Sequence, residues 1–277
     1  MLIFVCVALT APAFAFGYFR SRTTDLFPAT RGAVRATCPI GEHTDFGGGW
    51  SEVLGRPIAP GAMAYVTDMH MATGATWTVN GENGSTSAKR RLGSYVYCSA
   101  GTRGVPTTIA RTVSIAPFAE RSVTATCPPK LVVIAGGFHT PARPAHPGDT
   151  PPRALVNGLE LTSARSWRAT ARNVSSTAWI TLTAIAYCGH GPTVRVVTAS
   201  TSVGAASTGN VAAVCPTGTK LAFGGYRATT FFPNAFGGGT IAAEGFGAQG
   251  HDAWGVSGIN LNLLSGLGQM VALAYCS

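Results

Sequence analysis

The sequence has few charged residues, no closely spaced pair of cysteines and no apolar run long enough to span a membrane. Charged residues make up 11% of the chain and apolar residues 46%, which excludes disorder caused by high charge and low hydrophobicity. Beyond residue 15, no stretch reaches the roughly 18 apolar residues of a membrane-spanning helix. Since zinc sites usually draw on pairs such as Cys-x-x-Cys, we expect no metal.

Motifs that mark common enzyme classes are also missing. The chain contains no Gly-x-Ser-x-Gly, His-Glu-x-x-His or Walker sequence. Residues Gly245 to Gly250 match Gly-x-Gly-x-x-Gly, but a dinucleotide site needs this motif between a strand and a helix. Here it stands between a Phe-rich segment and a Trp-containing strand, so we interpret it as a loop. We therefore expect a protein without a cofactor that is not an enzyme.

What the chain does contain is one cysteine frame written three times. Each copy opens with Cys-Pro, has Gly-Gly nine residues after the cysteine, then a tryptophan, and closes with Tyr-Cys. The two cysteines of a copy are 60, 61 and 61 residues apart, and the copies begin 89 and 88 residues apart. Even, regularly spaced cysteines in an exported chain indicate disulfides, and the equal spacing favours one bond inside each copy. The predicted pairs are Cys38 with Cys98, Cys127 with Cys188, and Cys215 with Cys276.

The N-terminus suggests export. Residues 1–15 are apolar and end in Ala13-Phe14-Ala15, which fits the cleavage site of a signal peptide. They lack the basic residues that normally begin such a peptide, so a mis-assigned start or a short buried strand is the alternative. Cleavage would also remove Cys6, the one cysteine outside the frame. We therefore predict a secreted, extracellular protein.

The composition predicts an all-β fold. The 35 glycines, 17 prolines and many Thr, Ser and Val residues suit short strands joined by tight turns. Five or six strands are expected in each of three repeats, which span residues 16–100, 101–190 and 191–277. The alternatives are three small domains in a row or one compact pseudo-threefold unit. Short linkers favour the compact unit, and the length of the repeats favours a β-prism-like arrangement over a β-trefoil.

The residues that all three copies share suit mechanical roles. Proline after the first cysteine should end a strand, and the glycine pairs permit either positive φ or a close approach of backbones. The tryptophans are interpreted as core anchors, with an exposed sugar-stacking surface as the alternative. These structural residues are Gly47, Gly48, Gly136, Gly137, Gly224, Gly225, Trp77, Trp167 and Trp254.

The frame as a whole resembles repeats of secreted triple-repeat proteins of high-GC bacteria. The shared elements are Cys-Pro-x-Gly, Gly-Gly-aromatic, Trp-x-Val and Ala-x-Ala-Tyr-Cys. The ends of the motif are also distantly similar to the repeats of vitelline membrane outer layer proteins, which are β-prisms. That resemblance implies a β-prism and carries over no catalytic residue. In the second copy, Lys130 stands where the others have Gly41 and Gly218, a departure expected to alter one turn.

The segments between the glycine pair and the tryptophan differ among the copies. Met63, Met69 and Met71 surround His70 in the first, prolines fill 141–152 in the second, and the third is rich in Phe and Gly. We predict that these variable middles are surface loops. Nine basic and three acidic residues fall in the second repeat, so arginines there are candidates for binding acidic glycans or cell-wall polymers. The candidate ligand-binding residues are Arg143, Arg153, Arg165, Arg168, Arg172, Phe231, Phe232 and Phe236.

Three functions remain open from the sequence. The first is a lectin-like binding protein for glycans or wall polymers, and the second is a coat or fibre subunit that self-associates through the variable middles. The third is an extracellular hydrolase, for which His43, His70 and His251, with the nearby acids Asp45 and Asp252, are the candidates. Nucleic acid is not an expected partner, because aromatic residues do not alternate with the arginines. Asn83 and Asn173 begin glycosylation sequons.

Overall fold

The computed structural model describes residues 18–52, 63–101, 105–140, 154–230, 241–261 and 267–277. Across these ranges the chain forms eighteen β-strands and no helix, which confirms the all-β prediction. Accordingly, no helix of the described chain is long and apolar enough to cross a membrane. The predicted signal peptide at 1–15 lies outside the described residues.

Each repeat contributes six strands. Repeat 1 forms β1 (Tyr18–Leu26), β2 (Arg31–Thr37), β3 (Glu42–Ser51), β4 (Ala64–Thr73), β5 (Thr76–Asn83) and β6 (Arg90–Ala100). Repeat 2 forms β7 (Thr107–Ile115), β8 (Glu120–Thr126), β9 (Val132–His139), β10 (Ala154–Ser163), β11 (Ser166–Asn173) and β12 (Ile180–Gly189). Repeat 3 forms β13 (Arg195–Val203), β14 (Thr208–Val214), β15 (Leu221–Thr230), β16 (Ile241–Ala248), β17 (Ala253–Asn260) and β18 (Gly268–Cys276).

Every sheet is shared by two repeats. Sheet I has the order β2-β5-β4-β9-β12-β7, sheet II has β13-β18-β15-β10-β11-β8, and sheet III has β1-β6-β3-β16-β17-β14. The first, third and sixth strands of a repeat thus lie in one sheet, and its second, fourth and fifth strands lie in the next. Because repeat 1 joins repeat 2, repeat 2 joins repeat 3, and repeat 3 joins repeat 1, the arrangement closes. The predicted pseudo-threefold, β-prism-like fold is confirmed.

The repeats meet where the third strand of one pairs with the fourth strand of another, and we call this contact a seam. Seam I pairs β9 with β4, seam II pairs β15 with β10, and seam III pairs β3 with β16. Each seam is short, with two residue pairs in register. The aligned pairs that matter below are Asp68 with His139, Gly158 with Arg227, and Gly245 with Trp50.

The three disulfides form as predicted, one in each repeat. Cys38 bonds Cys98, Cys127 bonds Cys188, and Cys215 bonds Cys276. The first cysteine of each pair follows the second strand of its repeat, whereas the other lies in or at the end of the sixth strand, in a different sheet. Each disulfide therefore ties two sheets of the prism together. In the chain-entropy model, closing a loop of this size stabilises the fold by about 4 kcal/mol.

The two glycines of each pair serve two different close approaches. A Cβ on the first glycine would fall inside the indole ring of the same repeat, at 2.2 Å for Gly47 and 2.0 Å for Gly136 and Gly224. A Cβ on the second would meet a carbonyl oxygen across a seam, at 2.3 Å for Gly137 and 2.1 Å for Gly225. None of these glycines has positive φ, so close approach is the reason for them. The three indole rings that they accommodate are buried, as expected for core anchors.

The turn that follows each Cys-Pro is the same in all three repeats, contrary to the change expected at Lys130. In each turn the fourth residue donates its N–H to the proline carbonyl oxygen, at 3.0–3.2 Å. The third residue has positive φ, which is 86° at Gly41, 72° at Lys130 and 87° at Gly218. Repeat 2 therefore keeps a type II geometry with a lysine in the left-handed region that favours glycine.

The prediction that the variable middles are surface loops is wrong for the part that the structure describes. Each middle contains the fourth strand of its repeat, and Met63 and Met69 are buried. The Gly-x-Gly-x-x-Gly match begins inside β16 and ends in a hairpin leading to β17, so it is neither a simple loop nor a strand-to-helix turn. The fourth strand of each repeat pairs with the third strand of another repeat at a seam. Small or apolar residues allow this pairing, and the three fourth strands need no common sequence for it. The prolines of 141–152 and the Phe-rich segment lie outside the described residues.

A buried asparagine closes the end of the fifth strand in every repeat. Asn83, Asn173 and Asn260 are at most 1% exposed, and each donates from Nδ2 to a carbonyl oxygen of the first strand. In repeats 1 and 2, the Oδ1 atom also accepts the N–H of the serine two residues later, at 2.9 Å. Both sequons therefore form internal turns, and their amide nitrogens are inaccessible to a glycosyltransferase in the folded protein.

Candidate ligand-binding site

The third strand of each repeat has a bulge at the same place, seven residues after the first cysteine. Pairing with the sixth strand skips Asp45 in repeat 1, Ile134 in repeat 2 and Ala222 in repeat 3. A bulge places an extra residue in one strand and changes the direction of its side chain. The three equivalent positions carry an acid, a branched apolar side chain and a methyl group. The repeats therefore share the backbone bulge but differ in the side chain that it presents.

These three residues line one cavity of about 260 Å³, which we call the axial pocket because all three repeats contribute equivalent positions to it. Tyr97 and Ser99 flank Cys98 at its edge, and Phe46 and Phe223 contribute aromatic rings. The remaining lining residues are Val133, Gly191, Pro192, Val194, Lys220, Leu221 and Ser277. The polar lining residues come from repeat 1 and from repeat 3, which contributes Lys220 and Ser277, whereas repeat 2 contributes the apolar Val133 and Ile134.

Asp45 is the centre of the polar side. Its Oδ2 accepts a hydrogen bond from the Ser99 hydroxyl, and its Oδ1 lies 3.2 Å from His43 Nε2. The other ring nitrogen of His43 is 2.9 Å from the Gly101 carbonyl oxygen, which fixes the ring. The strand pairing explains the grouping, because His43 and Ser99 are directly opposite each other on β3 and β6.

Tyr97 connects the pocket to repeat 3. Its hydroxyl is 2.6 Å from His251 Nδ1, and its ring stacks on Phe46 with the centroids 5.1 Å apart. Burial, with a smaller effect of the Asp45 charge, raises the pKa of the Tyr97 hydroxyl, which is therefore a neutral donor and acceptor at physiological pH. The equivalent tyrosines of repeats 2 and 3 instead accept a backbone N–H across a seam, from Met71 and Leu161, each at 2.7 Å.

Ser99 and His43 are not placed as the nucleophile and base of a serine hydrolase. A serine nucleophile needs a base such as histidine to take its proton, with the acid behind the histidine. In this pocket the acid stands between the other two, because Asp45 contacts both Ser99 and His43. Asp45 therefore orients the Ser99 hydroxyl and the His43 ring. Within the described ranges, no group of three or more His, Cys, Asp or Glu residues is placed to hold a metal ion.

A second acid, Glu244, is partly buried but does not line the axial pocket. Glu244 is on β16, and burial raises the pKa of its carboxyl to about 7. Ser51 donates a hydrogen bond to the Glu244 backbone carbonyl, and the Glu244 side chain does not line the axial pocket. Within the described part of the chain, Glu244 Oε1 is buried without a hydrogen-bond partner, so we assign this carboxyl no chemistry.

The predicted arginine surface is only partly described. Arg165 donates to the Cys127 carbonyl oxygen at 2.6 Å, and Arg168 pairs with Glu160 Oε1 at 2.6 Å, so both are engaged within the protein. Arg172 lies on β11 directly opposite Glu120 of β8. None of the three lines the axial pocket. Their part in binding anions stays a prediction. The other candidates, which are Arg143, Arg153, Phe231, Phe232 and Phe236, lie outside the described residues.

The candidate histidines are divided between two places. His43 and His251 both adjoin the axial pocket, through Asp45 and Tyr97. His70 lies at seam I, where it bonds Asp68 together with His139. Sequence reasoning missed Asp68 and His139, which are 71 residues apart. It also missed the bulges, because nothing in the residue types at these positions marks an extra residue in a strand.

No protein-family model matches the chain, and no curated protein matches it. The resemblance of its repeats to secreted triple-repeat proteins and to vitelline membrane outer layer proteins therefore stays a prediction. Function has to be inferred from the pocket itself.

Proposed function

We propose that this protein is a secreted, non-enzymatic binding protein that holds a sugar unit of a glycan or wall polymer in the axial pocket. The observation that carries the proposal is the convergence of the three bulged residues, Asp45, Ile134 and Ala222, on one cavity. A β-bulge that recurs in all three repeats but presents a different side chain in each is typical of a scaffold that positions a binding site.

The chemistry of the lining favours a hydroxyl-rich ring. A sugar has apolar C–H faces, which pack against aromatic rings, and hydroxyl edges, which bond to carboxylates and hydroxyls. Tyr97 supplies a partly exposed ring, backed by the buried rings of Phe46 and Phe223, while Asp45 and Ser99 supply polar groups at fixed positions. A volume of about 260 Å³ suits one ring better than an extended chain. The rest of a polymer would then lie outside the pocket.

The scaffold suits an extracellular setting. Its three disulfides would be reduced in most cytosols and persist in oxidising surroundings. Together with the predicted signal peptide, they support secretion. The position of Asp45 between Ser99 and His43 supports binding without hydrolysis.

A glycan array and a pull-down on cell-wall polymers, both with the native protein, test the proposal. We expect binding that Asp45→Ala abolishes and that Arg172→Ala leaves unchanged, because Arg172 lies outside the pocket. If Arg172→Ala removes binding and Asp45→Ala does not, the ligand lies on the arginine surface. If no glycan or polymer binds, the lectin proposal is wrong.

A further inference from the structure

The three seams place different side chains on the same backbone. At seam I, Asp68 faces His139, with His70 two residues along β4. At seam II, Glu160, which corresponds to His70, pairs with Arg168 at 2.6 Å and with Arg227 at 3.5 Å. Seam III has Gly245 against Trp50, and its acid is Glu244, the residue before Gly245, whose backbone carbonyl accepts the Ser51 hydroxyl across the seam. The acid at seam I is thus paired with histidines and the acid at seam II with arginines, whereas the centre of seam III is a glycine packed against a tryptophan.

Asp68 is the most enclosed acid of the two ionic seams. It is 6% exposed, and each of its carboxylate oxygens has a histidine partner. Oδ1 is 2.8 Å from His70 Nδ1, and Oδ2 is 2.9 Å from His139 Nδ1. Oδ2 also accepts a hydrogen bond from Asn80 Nδ2 at 2.9 Å. The carboxylate therefore links β4, β5 and β9, and its bond to His139 crosses from repeat 1 to repeat 2.

The groups around this carboxylate come from four strands. His70 lies on its own strand, His139 on β9, Asn80 on β5 and Tyr187 on β12. The hydroxyl of Tyr187 accepts the Met71 N–H at 2.7 Å, and burial keeps it protonated at physiological pH by raising its pKa. The group of this cluster that gains or loses a proton near neutrality is therefore His139.

We propose that Asp68, His70 and His139 form a proton-operated clasp that holds repeats 1 and 2 together more tightly in mildly acidic than in mildly alkaline surroundings. When His139 is protonated, its bond to Asp68 joins two opposite charges across the seam. When His139 is neutral, the same bond loses this attraction between charges. The cost of burying the Asp68 carboxylate is then less fully compensated. Seam II has no such response, because arginine stays charged throughout this range.

The pKa shifts of His139 and Asp68 determine how the stability of the clasp changes with pH. The hydrogen bond to Asp68 is the largest cause that raises the pKa of His139, so its stabilisation is complete below the unfolded value of about 6.5 and is lost as pH rises through the folded value. The bonds from His139 and His70 outweigh burial and lower the pKa of Asp68 to about 2. The contribution of Asp68 is therefore present above its unfolded value of about 4 and is lost as pH falls towards 2. The clasp is strongest between about pH 4 and 6.5.

The test compares melting temperatures at about pH 5.5 and about pH 8, on either side of the ordinary histidine pKa. Asp68→Asn removes the charge and keeps the shape, and Glu160→Gln is the matched control at seam II. We expect Asp68→Asn to lower the melting temperature more at the acidic pH than at the alkaline pH. Glu160→Gln should lower it by the same amount at both. An Asp68→Asn effect that does not depend on pH would overturn the proposal.

A measurement on the native protein does not depend on how the variants fold. Histidine side-chain NMR signals, followed across this pH range and assigned by His139→Gln, report the titration of His139 directly. We expect its pKa to lie above the ordinary histidine value and to fall when Asp68→Asn is introduced. A native His139 that titrates at or below the ordinary value would contradict the clasp.

Discussion

The indole ring of Trp77 occupies the space in which a side chain on Gly47 would lie. A Cβ placed on Gly47 falls 2.2 Å from Trp77 Cγ, closer than any real contact between carbon atoms. The same relationship joins Gly136 to Trp167 and Gly224 to Trp254. The glycine and the tryptophan of the frame are thus two halves of one packing unit, which each repeat uses to seat its ring in the core.

Adding a single methyl group at Gly47 should therefore destabilise the protein strongly. Gly47→Ala forces the buried Trp77 ring or the backbone of β3 to move, and we expect a loss of at least about 2 kcal/mol in the free energy of unfolding. Gly74→Ala is the matched control in the same repeat, because no atom lies within 4 Å of its added Cβ. Denaturant unfolding checks both. Equal stability of the two variants would contradict the packing unit.

The turn at Lys130 should gain stability from glycine. A left-handed conformation costs an ordinary residue roughly 1–2 kcal/mol, and glycine avoids this cost but loses more backbone entropy on folding. Lys130→Gly should raise the free energy of unfolding by about 0.5–1 kcal/mol. The reciprocal change, Gly218→Lys, should lower it by a similar amount, since nothing lies within 4 Å of a Cβ there. Changes of the opposite sign in thermal unfolding would show that the turn adopts another geometry.

The buried asparagines should be more sensitive to truncation than exposed ones. Asn173→Ala leaves the Ile115 and Ala178 carbonyl oxygens and the Ser175 N–H without their side-chain partner. We expect a loss of about 2–4 kcal/mol, because buried polar groups that lose their bonds keep the cost of desolvation. Asn210→Ala, exposed on β14, should change stability by less than about 0.5 kcal/mol. A small effect at Asn173 would mean that water replaces its side chain.

The sequence was sufficient to predict the parts of the fold that repeat with fixed spacing. The cysteine pairs, the buried tryptophans and the number of strands follow from residues that recur at constant distances. The asparagine six residues after each tryptophan recurs at the same constant spacing, at Asn83, Asn173 and Asn260, although only the first two begin sequons. A polar residue that recurs inside an apolar frame is a sign of a buried hydrogen-bonding role.

The seams and the axial pocket were out of reach for a physical reason. Strand pairing between repeats depends on backbone hydrogen bonds, which any residue provides, so the fourth strands need no common sequence. Asp68 meets His139 and Tyr97 meets His251 only because the prism closes. The bulge at Asp45 has no residue type of its own, because its equivalents are Ile134 and Ala222. Contacts between residues so far apart in the sequence leave no local sequence pattern.

The most direct test of the proposed function fills the axial pocket without removing any polar group. Ala222→Phe places a ring where the lining has a methyl group, and Thr124→Phe, exposed on β8, is the control for an added aromatic side chain. Calorimetric titration with the sugar selected on the glycan array gives the affinity of each variant. We expect Ala222→Phe to weaken binding about tenfold or more, a loss of about 1.4 kcal/mol, and Thr124→Phe to bind like the native protein. Undiminished binding by Ala222→Phe, with its fold intact, would contradict a ligand site in the axial pocket.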